Sequence, residues 1–177
     1  NIAGQDPFRL QSKIRYSDGR FDDSANKKME TAWSSWGRKG NCEVTGMWSW
    51  KAITRLKART LVVDGEYLYR KMRGPEWGPH GYQFQMIDAD LLDEQLNKRL
   101  DGGGAIHMGI ELDAQGRRIA YHLLKRKPMH WEHGYVREHE RVPAEQIEHI
   151  FVPLFVDQVR GVPWIYAALL NLVHLGA

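Results

Sequence analysis

The chain has 177 residues, 42% of them hydrophobic and 27% charged, a size and balance that suit one globular domain with a sizeable core. Its longest apolar run, Val162 to Leu170, falls well short of the ~18 residues that a spanning helix needs, so no membrane span is expected. Twenty-five Lys and Arg against 22 Asp and Glu leave a net charge of +3, and the basic residues are scattered, which excludes a tail that binds DNA by counterion release.

Residues 1–20 read as an irregular polar segment punctuated by Gly4, Pro7 and Gly19. They have no basic start followed by an apolar core and so do not read as a signal peptide. The sequence opens on Asn1 without an initiator Met, which predicts a piece of a longer chain. A helix follows: Asp22, Asp23 and Ser24 offer caps, Met29, Ala32, Trp33 and Trp36 recur at helical spacing, and Gly37 and Gly40 end it. A face with two tryptophans needs a broad partner surface, so burial or a subunit interface is expected of Trp33 and Trp36. Base stacking, which would make the chain a single-stranded nucleic-acid binding module, is the less favoured reading. The lone Cys42 excludes an internal disulfide framework, fits a reducing compartment and reads as a small buried side chain.

A second helix is predicted over Trp48 to Val63, with Trp50, Ile53, Leu56, Thr60 and Leu61 inward and Lys51, Arg55 and Arg59 solvated. After the Asp64-Gly65 turn the period changes. Glu66 to Met72 and Tyr82 to Met86 alternate like strands and are expected to pair as a hairpin across the Gly74 to Gly81 loop. Asp90 to Leu100 reads as a short helix and Gly102 to Gly104 as a break. Ile106 to Leu112 and Arg118 to Lys125 form the clearest hairpin, around Asp113 to Gly116. Arg137 to Val142 and Ile147 to Val152 are further strands, and Pro163 opens a last helix running to about Leu175. Helices and strands without regular alternation predict an α+β fold, with helices packed on an antiparallel or mixed sheet.

Chemical motifs are few. His130, His133 and His139 are the densest imidazole group, and a small metal-dependent hydrolase built on them is the alternative worth stating. A strand would send residues 130 and 133 to opposite faces, and a zinc site needs three or four converging ligands, so solvated or hydrogen-bonded histidines are expected instead. No phosphate-cradling loop or nucleophile elbow is present. The carboxylate pairs Asp22-Asp23, Asp88/Asp90 and Asp93-Glu94 read as caps and turns. No cofactor is expected.

Near the end, Glu148 to Phe151 is followed by Gln158, Arg160, Gly161, Pro163 and Trp164. Upstream stand Trp33 and Trp36 with Cys42 and Gly46, Asp64-Gly65-Glu66, Gly109 to Asp113 with Gly116-Arg117, and Arg141 to Glu145. In this order, from roughly Asn26 to Ala177, the set resembles the lambda-type portal proteins of tailed phages and prophages. The resemblance implies a structural subunit and not an enzyme. It also implies a cyclic homo-oligomer, expected to be dodecameric, at one capsid vertex of the virion, assembled in the host bacterial cytoplasm. Terminase, capsid and scaffold proteins and tail-connector proteins are the implied partners, with double-stranded DNA passing without sequence readout. The signature residues so implied, structural or for assembly, are Trp33, Trp36, Gly65, Glu66, His149, Gln158, Arg160, Gly161, Pro163 and Trp164.

Two departures accompany it. The family often has Gly where this chain has Asp157, and its members continue beyond the position of Ala177. The expected organisation is therefore an irregular segment 1–20, an α+β wing-like domain 21–162 and the start of a helix at 163–177. The residues also speak for themselves: Gly161 supplies backbone freedom and Pro163 fixes φ at the start of the helix. Arg160 would not favour the positive end of that helix dipole, so it is expected to pair with a carboxylate elsewhere.

Overall fold

In the computed structural model, residues 10–125 and 137–166 are described. They fold as α+β, with two α-helices, a three-stranded sheet and a five-stranded sheet. The chain divides into two compact units, Asn1–Ala58 with Met72–Gln85, and Arg59–Lys71 with Met86–Ala177.

In the first unit, helix α1 (Asp23–Trp36) begins where its cap predicts, because the Asp22 carboxylate accepts from Ala25 N at 2.9 Å. Its last turn closes with Gly37 N donating to Trp33 O at 2.9 Å. The segment before it is pinned rather than loose: Asn26, buried on α1, accepts from Ile14 N at 2.7 Å and donates to Ile14 O at 3.2 Å.

Helix α2 (Trp50–Val63) starts two residues later than the pattern suggests. Its inward stripe also needs correcting. Ile53, Thr54 and Lys57 are the buried positions, while Leu56 is 36% exposed. Thr54 hides its hydroxyl by donating to Trp50 O at 2.9 Å. Lys57 lays its stem inward and brings its ammonium to 4.6 Å from the Trp50 ring and 5.0 Å from that of Phe84, a cation–π arrangement that offsets desolvation.

Strand β1 (Glu66–Arg73) and strand β2 (Tyr82–Ile87) form the expected hairpin, closed by Gly74 N donating to Gly81 O at 3.1 Å. The tip of this hairpin belongs to the first unit and its base to the second.

In the second unit the predicted helix over 90–100 is absent. A 3-10 turn (Ala89–Leu91) leads instead to a two-residue strand β3 (Lys98–Arg99). The reason is local: the carboxylates of Asp88 and Asp93 accept from the backbone N–H two residues on, those of Asp90 and Gln95, each at 3.0 Å. Such bonds hold the backbone in turns and compete with a helix.

The strand predicted over 106–112 is two strands, β4 (Ala105–His107) and β5 (Ile110–Leu112). Met108 and Gly109 between them have φ of 51° and 81°, the two left-handed residues that a tight I′ hairpin requires. The Met108 conformation is unfavourable by about 1 kcal/mol and is held by Asn97 Oδ1, which accepts from Met108 N at 3.0 Å. Strands β6 (Arg118–Leu124) and β7 (His139–Pro143) complete an antiparallel meander in the order β3-β4-β5-β6-β7.

After a second 3-10 turn (Ala144–Gln146), strand β8 (Ile147–Phe151) pairs antiparallel with β1, Leu68 facing His149. Leu68, Ile87, Leu92, Ile110, Tyr121, Leu123, Val142 and Ile147 form the core of this unit, each large side chain contributing roughly 1.5–3 kcal/mol by burial. The described chain ends in helical backbone at residues 165–166, with Tyr166 N donating to Pro163 O at 3.0 Å. The remainder of the predicted last helix, and His130 and His133, lie outside the described residues. Among the described residues no helix is long and apolar enough to cross a membrane.

Candidate functional site

The turn before β1 and the strand β8 bring together residues that are more than 80 positions apart. Glu66 opens β1 and His149 lies on β8. In the antiparallel register Leu68 faces His149, so Glu66, two residues along, shares its face as a diagonal neighbour. Their side chains are 3% and 0% exposed, and His149 Nε2 donates to Glu66 Oε2 at 2.9 Å.

Arg160 completes the group from the segment after β8. Its Nε donates to Glu66 Oε1 at 2.6 Å, and its two terminal nitrogens donate to the carbonyls of Leu92 and Ala89 at 3.1 and 3.3 Å. The next residue adds a backbone donor, Gly161 N, at 2.6 Å from Glu66 Oε2. Glu66 is thus the centre of a junction that fixes β1, β8, the 3-10 turn at 89–91 and the approach to the last helix within the second unit.

The electrostatics follow from this packing. Burial alone would raise the Glu66 carboxyl, but the bonds from His149, Arg160 and Gly161 and the guanidinium charge outweigh it and hold its pKa below the ordinary value. Burial pushes the His149 pKa down, against the opposing pull of Glu66, so the imidazole is neutral in the folded state. Its Nδ1 is buried with no hydrogen-bond partner among the described residues. With the carboxylate and the neutral imidazole sealed from solvent and the guanidinium side chain 14% exposed, the junction is suited to holding backbone segments in place.

Two of the predicted glycines are needed for the approach itself. A Cβ on Gly65, whose φ is +82°, would stand 2.2 Å from Val162 C and 2.4 Å from Pro163 N, and one on Gly161 would stand 2.2 Å from Gly65 O. Gln158 staples the preceding loop, accepting from Leu154 N at 2.6 Å and donating to Arg160 O at 2.7 Å. Asp157 takes φ of 67°; Asp is among the few residues that adopt this left-handed conformation with modest cost. The structure therefore gathers Gly65, Glu66, His149, Gln158, Arg160, Gly161 and Pro163 into one neighbourhood. Trp164 is beside it in sequence and 51% exposed.

Trp33 and Trp36 belong to a different group, in the first unit. With Trp50 they form a cluster whose ring centroids are 5.1 to 5.8 Å apart. Phe84 joins Trp36 edge-on at 5.4 Å, and the Trp36 indole N–H donates to Tyr82 O at 2.9 Å. The three rings meet tilted or edge-on, at interplanar angles of 35° to 76°.

Two further clusters of the same composition were not apparent from the sequence. Asp93, its side chain 2% exposed, is paired with Arg137 and accepts from His139 Nε2 at 2.9 Å. Glu111 accepts from His122 Nε2 at 2.9 Å and from Arg141 at 2.7 and 3.0 Å. Burial would raise the Asp93 carboxyl, but His139, Gln95 N and Arg137 hold it below its ordinary value. The bonds from Arg141 lead in pulling Glu111 down to about 2, against burial and with help from His122. The sequence carried one usable signal, the strand register, since His122 faces Arg141 across β6 and β7 and lies diagonal to Glu111. His139, the described member of the histidine group considered for a metal, is thus bonded through Nε2 to Asp93. Among the described residues no group of His, Cys, Asp and Glu is arranged to hold a metal ion.

Comparison with known proteins identifies the family of the chain. A family model described as "Phage portal protein, lambda family" matches residues 1–177. Over 178 residues the chain is 34% identical to a "Probable portal protein" of Halomonas phage phiHAP-1, covering 99% of this chain and 34% of that protein. The chain thus spans about a third of the length of that curated relative. Matched along its whole length by the family model, the chain belongs to the lambda family of phage portal proteins.

Proposed function

We propose that the protein containing this chain assembles into a cyclic, dodecameric ring at one capsid vertex, where it is the conduit for packaging and ejecting double-stranded DNA and the connector between head and tail. Residues 21–162 form the outer, wing-like part of each subunit, and residues 163–177 begin the helix that leads to the rest of it. The observation that carries this reading is the family match over the entire chain.

The role is structural and not enzymatic. Terminase supplies the ATP hydrolysis that drives packaging and docks on the ring; capsid, scaffold and tail-connector proteins bind its other faces. DNA meets the channel through its backbone, without base readout. The protein resides in the virion and passes through the host bacterial cytoplasm during assembly. Within each subunit Gly65, Glu66, His149, Gln158, Arg160, Gly161 and Pro163 set the angle at which the chain leaves β8 for the helix. Trp33 and Trp36 fix the first unit, and Trp164 continues the signature into the helix. A sealed junction suits a part that must keep its shape while DNA moves past.

Disrupting the gene in the phage or prophage that carries it tests this directly. The expected result is capsids that form but contain no DNA, with packaging restored by a copy supplied in trans. Capsids that fill normally without the protein would overturn the conduit reading.

A further inference from the structure

A closed ring of more than two subunits needs two different, complementary patches on every copy, because its contacts run head to tail. Among the described residues two apolar features fit such patches, one convex and one concave. The convex one follows β8: Val152, Leu154, Phe155 and Val156 are 45%, 68%, 64% and 85% exposed. This stretch is held in shape, since Gln158 bonds both Leu154 N and Arg160 O and Asp157 makes the left-handed turn. Large apolar side chains presented this fully on a fixed turn mark an interaction site.

The concave feature lies in the first unit. A groove of about 430 Å³ is lined by Met29, Ala32, Trp33, Trp36, Tyr82 and Phe84 among others. Beside it, sharing Leu10, Trp33 and Trp50, runs a cleft whose walls carry Lys27, Arg38 and Lys51 with one carboxylate, Glu30. Charge is divided in the same sense. The first unit has twelve Lys and Arg against seven Asp and Glu, a net of +5, and the second has thirteen against fifteen, a net of −2; the two add to the +3 of the chain. The exposed Asp157 extends the negative sign to the apolar tip itself.

We infer that the tip at Val152–Val156 of one copy seats in the tryptophan-lined groove of the first unit of a second copy, with Asp157 facing the Lys27, Arg38 and Lys51 side of that groove. The occupant is the same chain because tip and groove are both apolar, both open among the described residues, and carried by units of opposite net charge. Phe155 and Leu154 are the anchors, aromatic and aliphatic side chains entering an apolar pocket. Asp157 and the basic wall supply orientation and steering more than affinity. This contact rests on the ring reading above and gives it a specific interface.

The test uses the full-length protein, with ordinary and 15N-labelled subunits mixed before assembly and a benzophenone amino acid in place of Phe155. The contact predicts cross-links from position 155 to peptides containing residues 29–36 or 80–84, with light–heavy pairs as abundant as like pairs. Cross-links confined to single copies, or directed away from the groove, would overturn it. Phe155→Asp and, in the groove, Met29→Glu are each expected to raise the concentration needed for assembly about tenfold or more, with the melting temperature unchanged; assembly at the wild-type concentration would count against the contact. Wild-type protein that gives light–heavy tip-to-groove cross-links in open chains and no closed ring would keep this inference and sink the ring.

Discussion

Gly161 approaches Gly65 so closely that a Cβ on it would stand 2.2 Å from the Gly65 carbonyl oxygen and 2.6 Å from Glu66 Cβ. Neither backbone can retreat without breaking the bond from Gly161 N to Glu66 Oε2. Gly161→Ala is therefore expected to destabilise the fold by about 3 kcal/mol, as overpacking of a rigid contact does. Gly116, with φ of +79° and nothing near its Cβ position, is the control. Gly116→Ala loses only the conformational term, about 1 kcal/mol. Chemical denaturation of the two variants separates close approach from backbone preference.

Removing one member of the buried pair leaves the other charged without its counter-ion, although Arg160 keeps the Leu92 and Ala89 carbonyls and Glu66 keeps His149 and Gly161 N. Arg160→Ala and Glu66→Gln are each expected to cost about 3–5 kcal/mol. The double variant Glu66→Gln/Arg160→Met should cost clearly less than the sum of the singles, because the two side chains share one interaction. Additive losses in a double-mutant cycle would show that the pair does not act as a unit.

Acid should weaken the fold in two stages. Glu66, Asp93, Glu111 and His149 all have folded pKa values below their ordinary ones, so the unfolded chain binds more protons and stability rises with pH. Each contribution is complete above the unfolded value and is lost as pH falls through the folded value. The His149 contribution begins to go near its ordinary 6.5, at no more than about 1.4 kcal/mol per pH unit. The carboxylates follow below their ordinary values of 4.5 and 3.8, with the Glu111 contribution kept down to about 2. Melting temperature measured from pH 8 to pH 3 should fall in that order, and His149→Gln should remove the first stage alone.

Cys42 is 0% exposed, and burial pushes its thiol up to about 11. At pH 7.5 the folded protein is expected to resist alkylation there, while denaturant makes the same residue react within minutes. Mass spectrometry reads the modification; fast alkylation of folded protein would place Cys42 in an open environment.

Much of the fold is visible in local chemistry. Asp22 marks the start of α1, and the alternation in 66–72 and 82–86 marks the first hairpin. Where local signals were overruled, the causes lie in side chains that bond the backbone or in charges that find distant partners. Asp88 and Asp93 turn a helical stretch into loops, and Met108 accepts a left-handed conformation that its side chain does not announce. Lys57 reaches a buried position that hydropathy alone gives to Leu56, because two aromatic rings await its ammonium. Within the site, Arg160 had a visible need for a carboxylate, but its partner lies 94 positions away, beyond what spacing can indicate. The Asp93 and Glu111 clusters were hidden for the same reason: Asp93 lies 44 and 46 positions from Arg137 and His139, and Glu111 lies 11 and 30 from His122 and Arg141.

The most direct test is the mass in solution of the chain extended through its natural continuation, with negative-stain images of the same sample. A closed ring of identical subunits around a central hole is the predicted result, with this chain in the periphery of each subunit. A stable monomer, above all one that holds a stoichiometric metal, would contradict the account and favour the histidine-based hydrolase.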